Sequence, residues 1–166
     1  MIGGRYRLVD RLGSGAFGQV WRAYDMHLGV DVAVKQVLLP IDGKGPQAAE
    51  RVARAAREAL REQGFGVLTE IDVQATMREK LGEETGPYLI LGACNPALAH
   101  RALTTDRSIG VLLPCNVVVR VDDGRTVVEA LDPDVMVTFT GKPELEPVAT
   151  EAKARLAAAL ESVAKP

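Results

Sequence analysis

The chain has 166 residues, of which 47% are hydrophobic and 25% are charged, a composition that is typical of a globular protein and excludes an intrinsically disordered one. The net charge is −2 and the chain has no basic run or aromatic-rich basic face, so we expect no nucleic-acid partner. No apolar stretch reaches membrane-spanning length, and two cysteines are too few for a disulfide framework. We therefore expect a cytoplasmic protein with free thiols and no membrane partner.

Alternating apolar and polar residues predict two N-terminal strands, over residues 6–12 and 19–24, joined by a glycine-rich turn. A third strand is predicted over residues 31–39, with Lys35 set among apolar neighbours. A dinucleotide-binding fold would require a helix to begin within the glycine motif, whereas residues 19–24 have the pattern of a strand. The segment is therefore predicted to be a β-ribbon.

The motifs in this ribbon resemble the start of a bacterial Hanks-type Ser/Thr protein kinase, over about residues 5–58. They are Leu12-Gly-Ser-Gly-Ala-Phe-Gly-Gln-Val20, Val32-Ala-Val-Lys35 and Arg57-Glu58-Ala59. In that family the glycine loop covers the phosphates of ATP, the strand lysine contacts them and a helix glutamate pairs with the lysine. By resemblance, the residues that would bind ATP are Gly13, Gly15, Gly18, Val20, Lys35 and Glu58.

The kinase resemblance stops before the catalytic residues. The chain has no His-Arg-Asp loop, and none of its three phenylalanines, Phe17, Phe65 and Phe139, follows an aspartate. Without a catalytic base and a metal-binding aspartate we expect no kinase activity. Two alternatives remain for the ribbon: it is retained for packing, with Lys35 and Glu58 as an ordinary ion pair, or it still binds ATP through the glycine loop and Lys35.

The segment that joins the two halves is predicted to be an amphipathic helix over residues 46–63. Pro46 suits the first helical turn and Gly64 suits the left-handed position that closes a helix. The predicted apolar stripe comprises Ala49, Val52, Ala53, Ala56 and Leu60.

The rest of the chain is predicted to be α+β, with an antiparallel sheet and helices on one face. The pattern predicts strands over residues 65–71, 87–91, 109–113, 116–121 and 126–130, and helices over residues 72–81, 97–103 and about 144–164. The sequence Asp122-Asp-Gly-Arg125 predicts a tight hairpin between the last two strands.

This second part resembles a bacterial family of unknown function, numbered 302. The segments that carry the resemblance are Gly64-Phe-Gly-Val-Leu-Thr-Glu-Ile-Asp72, Leu91-Gly-Ala-Cys-Asn-Pro96, Ala102-Leu103 and Leu112-Leu-Pro-Cys-Asn-Val-Val-Val119. The resemblance implies a fold similar to the TATA-box-binding protein, without DNA binding, and no established activity. We thus expect a kinase-like ribbon over residues 1–45, a junction helix over residues 46–63 and an α+β domain over residues 64–166.

The junction suggests how the two parts combine. Residues 32–39 stand where the second family has its own first strand, so we predict that they replace it and that residues 5–24 extend from them as a hairpin. Such a ribbon leaves a strand edge open, which favours self-association into a homo-oligomer.

The dipeptides Cys94-Asn95 and Cys115-Asn116 each lie at the edge of a predicted strand. We predict that Cys94, Asn95, Cys115 and Asn116 could converge on one small polar ligand pocket, with His100 nearby for thiol or metal chemistry. The alternative is that the thiols are buried as small apolar groups and the asparagines tie down the backbone. Metal-ligand spacing of the zinc type is absent from the sequence. Glu70 and Asp72 are acid/base candidates, or else a helix cap and its neighbour.

Together these features predict a chimeric, non-catalytic module that binds an unknown small ligand or associates with itself. The alternative is residual nucleotide binding in the ribbon, or thiol or metal chemistry at Cys94 and Cys115.

Overall fold

The computed structural model of the protein describes residues 6–15, 18–37 and 46–163. The strands in these residues are β1 (Tyr6–Gly15), β2 (Gly18–Asp25), β3 (Val30–Val37), β4 (Gly66–Asp72), β5 (Tyr88–Cys94), β6 (Cys115–Asp122) and β7 (Arg125–Leu131). The helices are α1 (Pro46–Glu62), α2 (Val73–Leu81), α3 (Pro96–Thr105), α4 (Val135–Thr140) and α5 (Glu146–Ser162). Short 3-10 helices span Arg107–Leu112 and Pro143–Leu145.

The strands form one antiparallel sheet with the order β1-β2-β3-β7-β6-β5-β4, which confirms the predicted α+β class. β3 joins the two halves, with Val32 opposite Leu131 and Lys35 opposite Val128. The N-terminal ribbon therefore continues the sheet of the second part. The outer strands are β1 and β4, and self-association through an open edge stays a prediction, as does the division into separate domains.

Helix α1 has the predicted ends and the predicted buried stripe. It begins at Pro46, and after it Gly64 has a φ of 81° while the Phe65 amide donates to the Leu60 carbonyl over 2.9 Å. This left-handed closure is the reason the position favours glycine. All five residues of the predicted stripe are buried.

The main core lies between the sheet and helices α1 and α5, which pack against each other and against the same face. The helices contribute short side chains, so they can approach the sheet closely. The buried residues of this layer include Val52, Ala53, Ala56 and Leu60 of α1, Leu91, Val117, Val119 and Val128 of the sheet, and Ala152, Leu156 and Leu160 of α5.

The opposite face of the sheet carries a second, smaller apolar cluster and is strongly curled. Its buried members are Tyr6, Ala23, Val32 and Val127. The Tyr6 ring lies 5.8 Å from the Arg120 guanidinium, although β1 and β6 are four places apart in the sheet. A flat sheet would separate strands at those places by about 19 Å. The N-terminal ribbon thus folds over the face that carries Arg120, and the sheet forms a trough there.

Two elements differ from the predictions. Residues 109–113, predicted as a strand, lie in the 3-10 helix Arg107–Leu112 and the residue after it, and α4 is not anticipated by the periodicity. Asp106 caps the 3-10 helix, since its carboxylate accepts from the Ser108 amide over 2.9 Å. Ile109 is buried, whereas Val111 is 80% exposed. The two β-branched residues therefore do not share one buried face, as they would in a strand that packs on the core.

Candidate functional site

Three of the four residues predicted to form a ligand pocket line one cavity. Cys94 ends β5, Asn95 follows it and Cys115 begins β6, and the register brings them together because Ala93 lies opposite Cys115. The cavity has a volume of about 20 Å³, which is room for about one water molecule. The other residues around it are apolar: Phe65, Ala93, Leu98, Ala99, Ala102, Leu113, Met136, Val148 and Ala152.

Asn95 is buried and has a clear structural task. Its side-chain oxygen accepts from the Leu98 amide over 3.2 Å and so caps the N-terminus of α3. A Cβ atom placed on Gly64 would lie only 2.9 Å from the Asn95 side-chain nitrogen. Asn95 therefore caps α3 and lies close to Gly64 at the end of α1.

Both cysteine side chains are held as neutral thiols. Burial raises the pKa of Cys115 to about 11, and the neighbouring Cys94 adds to the shift. Burial also raises the pKa of Cys94. Thiolates are the nucleophilic and metal-binding form, so this environment opposes both roles at neutral pH. Among the described residues no group of three or more His, Cys, Asp or Glu side chains is placed to hold a metal ion, and His100 is exposed.

Asn116 lies apart from the other three. It is exposed and lines the trough on the opposite face of the sheet, next to Val118 and Leu131. The reason is the two-residue period of a strand, which directs the side chains of Cys115 and Asn116 to opposite faces. The repeated Cys-Asn dipeptide is thus divided between the two faces at β6.

The kinase-like residues are only partly within the described part of the chain. Gly15 lies opposite Gly18 and Gly13 opposite Val20, so the motif belongs to the β1–β2 hairpin, and Lys35 on β3 lies opposite Val20. The side chains of Val20 and Lys35 lie outside the described residues.

Glu58, the predicted partner of Lys35, is exposed on α1 and forms an ion pair with Arg61. The hydrogen bond from Arg61 lowers the pKa of Glu58. Nucleotide binding through these residues stays a prediction.

The described residues form a much larger concave site beside α1, which we call the α1 cleft. It has a volume of about 460 Å³ and lies where α1 crosses the ends of β4 and β5. Its apolar lining residues are Ala49, Ala53, Pro87, Leu89 and Val119, and its polar ones are Glu50, Arg57, Glu70, Asp72, Gln74 and Tyr88. An apolar floor with a few convergent polar groups is the usual build of a small-ligand site.

An ion pair between Arg57 and Glu70 spans the α1 cleft and fixes α1 to β4. The guanidinium donates two hydrogen bonds of 2.8 Å to the two carboxylate oxygens, the bidentate geometry that makes such pairs specific. The hydrogen bond with Glu70 raises the pKa of Arg57, and that with Arg57 lowers the pKa of Glu70. Glu70 is therefore ionised at neutral pH and is not held protonated as a general acid would be.

The remaining charges of the α1 cleft are acidic. Glu50 is largely exposed and lies 3.4 Å from Arg57, the single cationic group of this lining. Asp72 accepts from the Ala75 amide over 2.8 Å with one carboxylate oxygen, which caps α2. Three carboxylates and one guanidinium thus line the cleft, and the site has an excess of negative charge.

Sequence reasoning identified Glu70 and Asp72 but missed Arg57 and the cleft. Arg57 and Glu70 are 13 residues apart, and their pairing depends on how α1 lies across β4. A usable signal was present: Arg57 adjoins the buried stripe of α1, so its head group has to emerge at the border of helix and sheet.

Comparisons with known proteins identify the family of this chain and a solved structure with a similar fold. The model of the family described as "Domain of unknown function DUF302" matches residues 45–163, well over half of the chain. The chain belongs to the DUF302 family. A crystal structure of an uncharacterised conserved DUF302 protein from Bacillus stearothermophilus is 32% identical, covers 74% of this chain and 94% of its own, and has a TM-score of 0.66. No curated protein matches significantly.

The DUF302 match includes both cavities on the helix-packed face but not the N-terminal ribbon. All residues of the α1 cleft and of the cysteine cavity lie within residues 45–163, whereas β1, β2 and β3 precede the match. The kinase resemblance of those strands and the likeness to the TATA-box-binding protein stay predictions. None of the helices in the described ranges has the length and apolar character needed to cross a membrane.

Proposed function

We propose that this DUF302 chain is a non-catalytic module that binds a small organic cation in the α1 cleft. The observation that carries the proposal is the combination of size and charge: a cleft of about 460 Å³ with an apolar floor, three carboxylates and one arginine. The bidentate pair with Glu70 already neutralises the arginine. The negative charges that attract a ligand are therefore those of Glu50, whose contact with Arg57 is longer at 3.4 Å, and of Asp72, which accepts only an amide hydrogen bond.

The shape of the site favours a ligand with an apolar body. Ala53 of α1 and Leu89 of β5 contribute to its apolar floor, and Val119 lies directly opposite Leu89 on β6. A ring or short alkyl chain could displace water from this floor, while an ammonium group would lie near Glu50 or Asp72 at the rim. A strongly hydrated inorganic cation would gain nothing from the apolar floor.

The polar groups support binding more than catalysis. Glu70 is committed to Arg57 and Asp72 caps α2, so both candidate acid/base groups have structural tasks. The pKa of Glu70 is lowered, which is the opposite of the shift that a general acid requires.

A series of matched probes tests the proposal. Phenethylamine, 2-phenylethanol and phenylacetate share a ring and a chain length, and they are cationic, neutral and anionic at neutral pH. Titration by calorimetry should show saturable binding of phenethylamine that weakens as salt rises, since the attraction is partly screened. We expect binding of the alcohol to be weaker and no detectable binding of phenylacetate.

Glu50→Gln and Glu58→Gln provide the matched variants, since both residues are exposed glutamates on α1 but only Glu50 lines the cleft. Glu50→Gln should weaken phenethylamine binding by roughly three- to tenfold, the effect of one nearby charge, and Glu58→Gln should leave it within twofold. Equal effects of the two substitutions, or tighter binding of phenylacetate than of phenethylamine, would refute the proposal.

A further inference from the structure

The trough on the curled face of the sheet is a second concave site, built by residues on both sides of the start of the DUF302 match. Its volume is about 230 Å³. The N-terminal ribbon contributes Tyr6, Asp25, Leu28, Val30 and Val32, and strands β5, β6 and β7 contribute Tyr88, Asn116, Val118, Glu129 and Leu131. Neither part alone would enclose it, because the ribbon supplies one wall and the family domain supplies the other.

Charged groups at the trough are paired within the protein. Arg120 donates to both oxygens of Glu129, over 3.0 and 3.1 Å, and lies 3.1 Å from Asp122. Glu129 is nearly buried, with 9% of its side chain exposed, so it contributes little free charge to a ligand. One carboxylate oxygen of Asp25 accepts the amides of His27 and Leu28. A charged ligand would therefore find no opposite charge without breaking these pairs, at a substantial desolvation cost.

The rest of the trough lining is neutral. Val30, Val32, Val118 and Leu131 form apolar walls, and the Tyr6 ring lies against the Arg120 guanidinium at one end. Tyr88 and Asn116 add a phenol and an amide to this lining. Such a surface matches a molecule with an apolar ring system and one neutral hydrogen-bonding group.

We propose that the trough binds a neutral aromatic molecule that carries a single neutral hydrogen-bonding group. This site lies on the opposite face of the sheet from the α1 cleft, which lies on the helix-packed face and favours cations, and Tyr88 is the one described residue that borders both. The proposal therefore does not depend on the function proposed for the cleft. It gives the N-terminal ribbon a task, since the ribbon completes a binding site that the DUF302 part alone lacks.

Two fluorescent probes that differ in one charged group test the choice of ligand. N-phenyl-1-naphthylamine is neutral and has one N–H group, and 8-anilinonaphthalene-1-sulfonate is the same ring system with a sulfonate. We expect saturable binding of the neutral probe by the full chain and at least tenfold weaker binding of the anion. Absence of saturable binding of the neutral probe, or equal affinity for both, overturns the proposal.

Substitutions along one row of the sheet locate the bound probe. Val118 lies opposite Ile90, and Ile90 lies opposite Ile71, so Val118 and Ile71 share the curled face while only Val118 lines the trough. Val118→Trp should fill the trough and reduce the affinity of the neutral probe at least tenfold, whereas Ile71→Trp should leave it within twofold. Equal affinities in the two variants place the probe elsewhere and refute the assignment.

A second pair of variants decides the question if Val118→Trp does not fold. Leu28 and Met26 are exposed residues of the same β2–β3 turn, 66% and 53% exposed, and only Leu28 lines the trough. Leu28→Asp should weaken binding of the neutral probe at least threefold, and Met26→Asp should not change it. A Leu28→Asp protein that binds the probe as tightly as the wild type would contradict the proposal.

Discussion

The cysteine cavity and the α1 cleft lie on the same face of the sheet but differ in nearly every physical respect. The cavity is small and apolar, holds about 20 Å³ and is lined by two neutral thiols. The cleft is open, holds about 460 Å³ and is lined by four charged groups. Three of the four residues of the repeated Cys-Asn dipeptide thus line a small apolar cavity, whereas no motif marks the α1 cleft. A short repeat can reflect packing and capping as readily as chemistry.

The largest effect should come from the thiol of Cys115. Its pKa is about 11 in the folded protein against 9.0 for an ordinary cysteine, so the unfolded chain loses its proton first as pH rises. Folding stability should be unaffected below pH 9 and should then fall progressively up to pH 11, by up to about 3 kcal/mol. Urea unfolding between pH 8 and 11 measures this dependence.

Cys115→Ala is the control for the alkaline loss of stability. The variant lacks the titrating group, so its stability should fall less steeply between pH 9 and 11 even if its stability at pH 8 is lower. If wild type and variant have parallel pH profiles, the thiol is not held in the apolar environment described here.

The two asparagines of the repeated dipeptide should differ in their contribution to stability. Asn95→Ala removes the cap of α3 and leaves the Leu98 amide without its partner, so it should lower the free energy of unfolding by about 1–2 kcal/mol. Asn116→Ala changes an exposed residue and should stay within about 0.5 kcal/mol of the wild type. Chemical denaturation of both variants checks this, and equal losses would show that the dipeptides are not separated as described.

Some parts of this fold follow directly from local sequence. Pro46 and Gly64 delimit α1, Asp72 caps α2, and Asp123 and Gly124 take the positive φ angles of 47° and 74° that the predicted hairpin requires. Each of these features depends on residues within a few positions of one another, so a single sequence is sufficient to predict them.

Other parts depend on contacts between distant segments. The α1 cleft requires the approach of Arg57 to Glu70, and the trough requires the ribbon to curl until Tyr6 reaches Arg120. Local patterns place the head group of Arg57 at the border of its helix, but they do not predict which distant residue either Arg57 or Tyr6 contacts. The separation of Cys115 from Asn116 could have been predicted from the sequence, because the side chains of adjacent residues in a strand point to opposite faces of the sheet.

Removing the positive charge of Arg57 makes the α1 cleft more negative and leaves Glu70 without its partner. Arg57→Gln removes the guanidinium and leaves one more unpaired carboxylate, so binding of phenethylamine should tighten by roughly three- to tenfold. Stability should fall only modestly, because this pair is partly exposed and such pairs contribute about 0–1 kcal/mol. Calorimetric titration measures the affinity, and weaker binding in the variant would mean that Arg57 itself holds the ligand.

The smallest effect concerns the glycine-rich hairpin. If the hairpin and Lys35 still bind nucleotide, Mg-ATP should raise the melting temperature by a few degrees at most, and Lys35→Ala should abolish the increase. No increase in the wild type, or the same increase in Lys35→Ala, would rule out nucleotide binding and leave packing in the sheet as the task of the ribbon.

The most direct measurement of the central claim is the position of bound phenethylamine by intermolecular NOEs on isotope-labelled protein. We expect NOEs from the ring protons to the methyl groups of Ala53, Leu89 and Val119 on the floor of the α1 cleft. NOEs to Leu98 in the cysteine cavity or to Val118 in the trough, with none to Ala53, would contradict the claim.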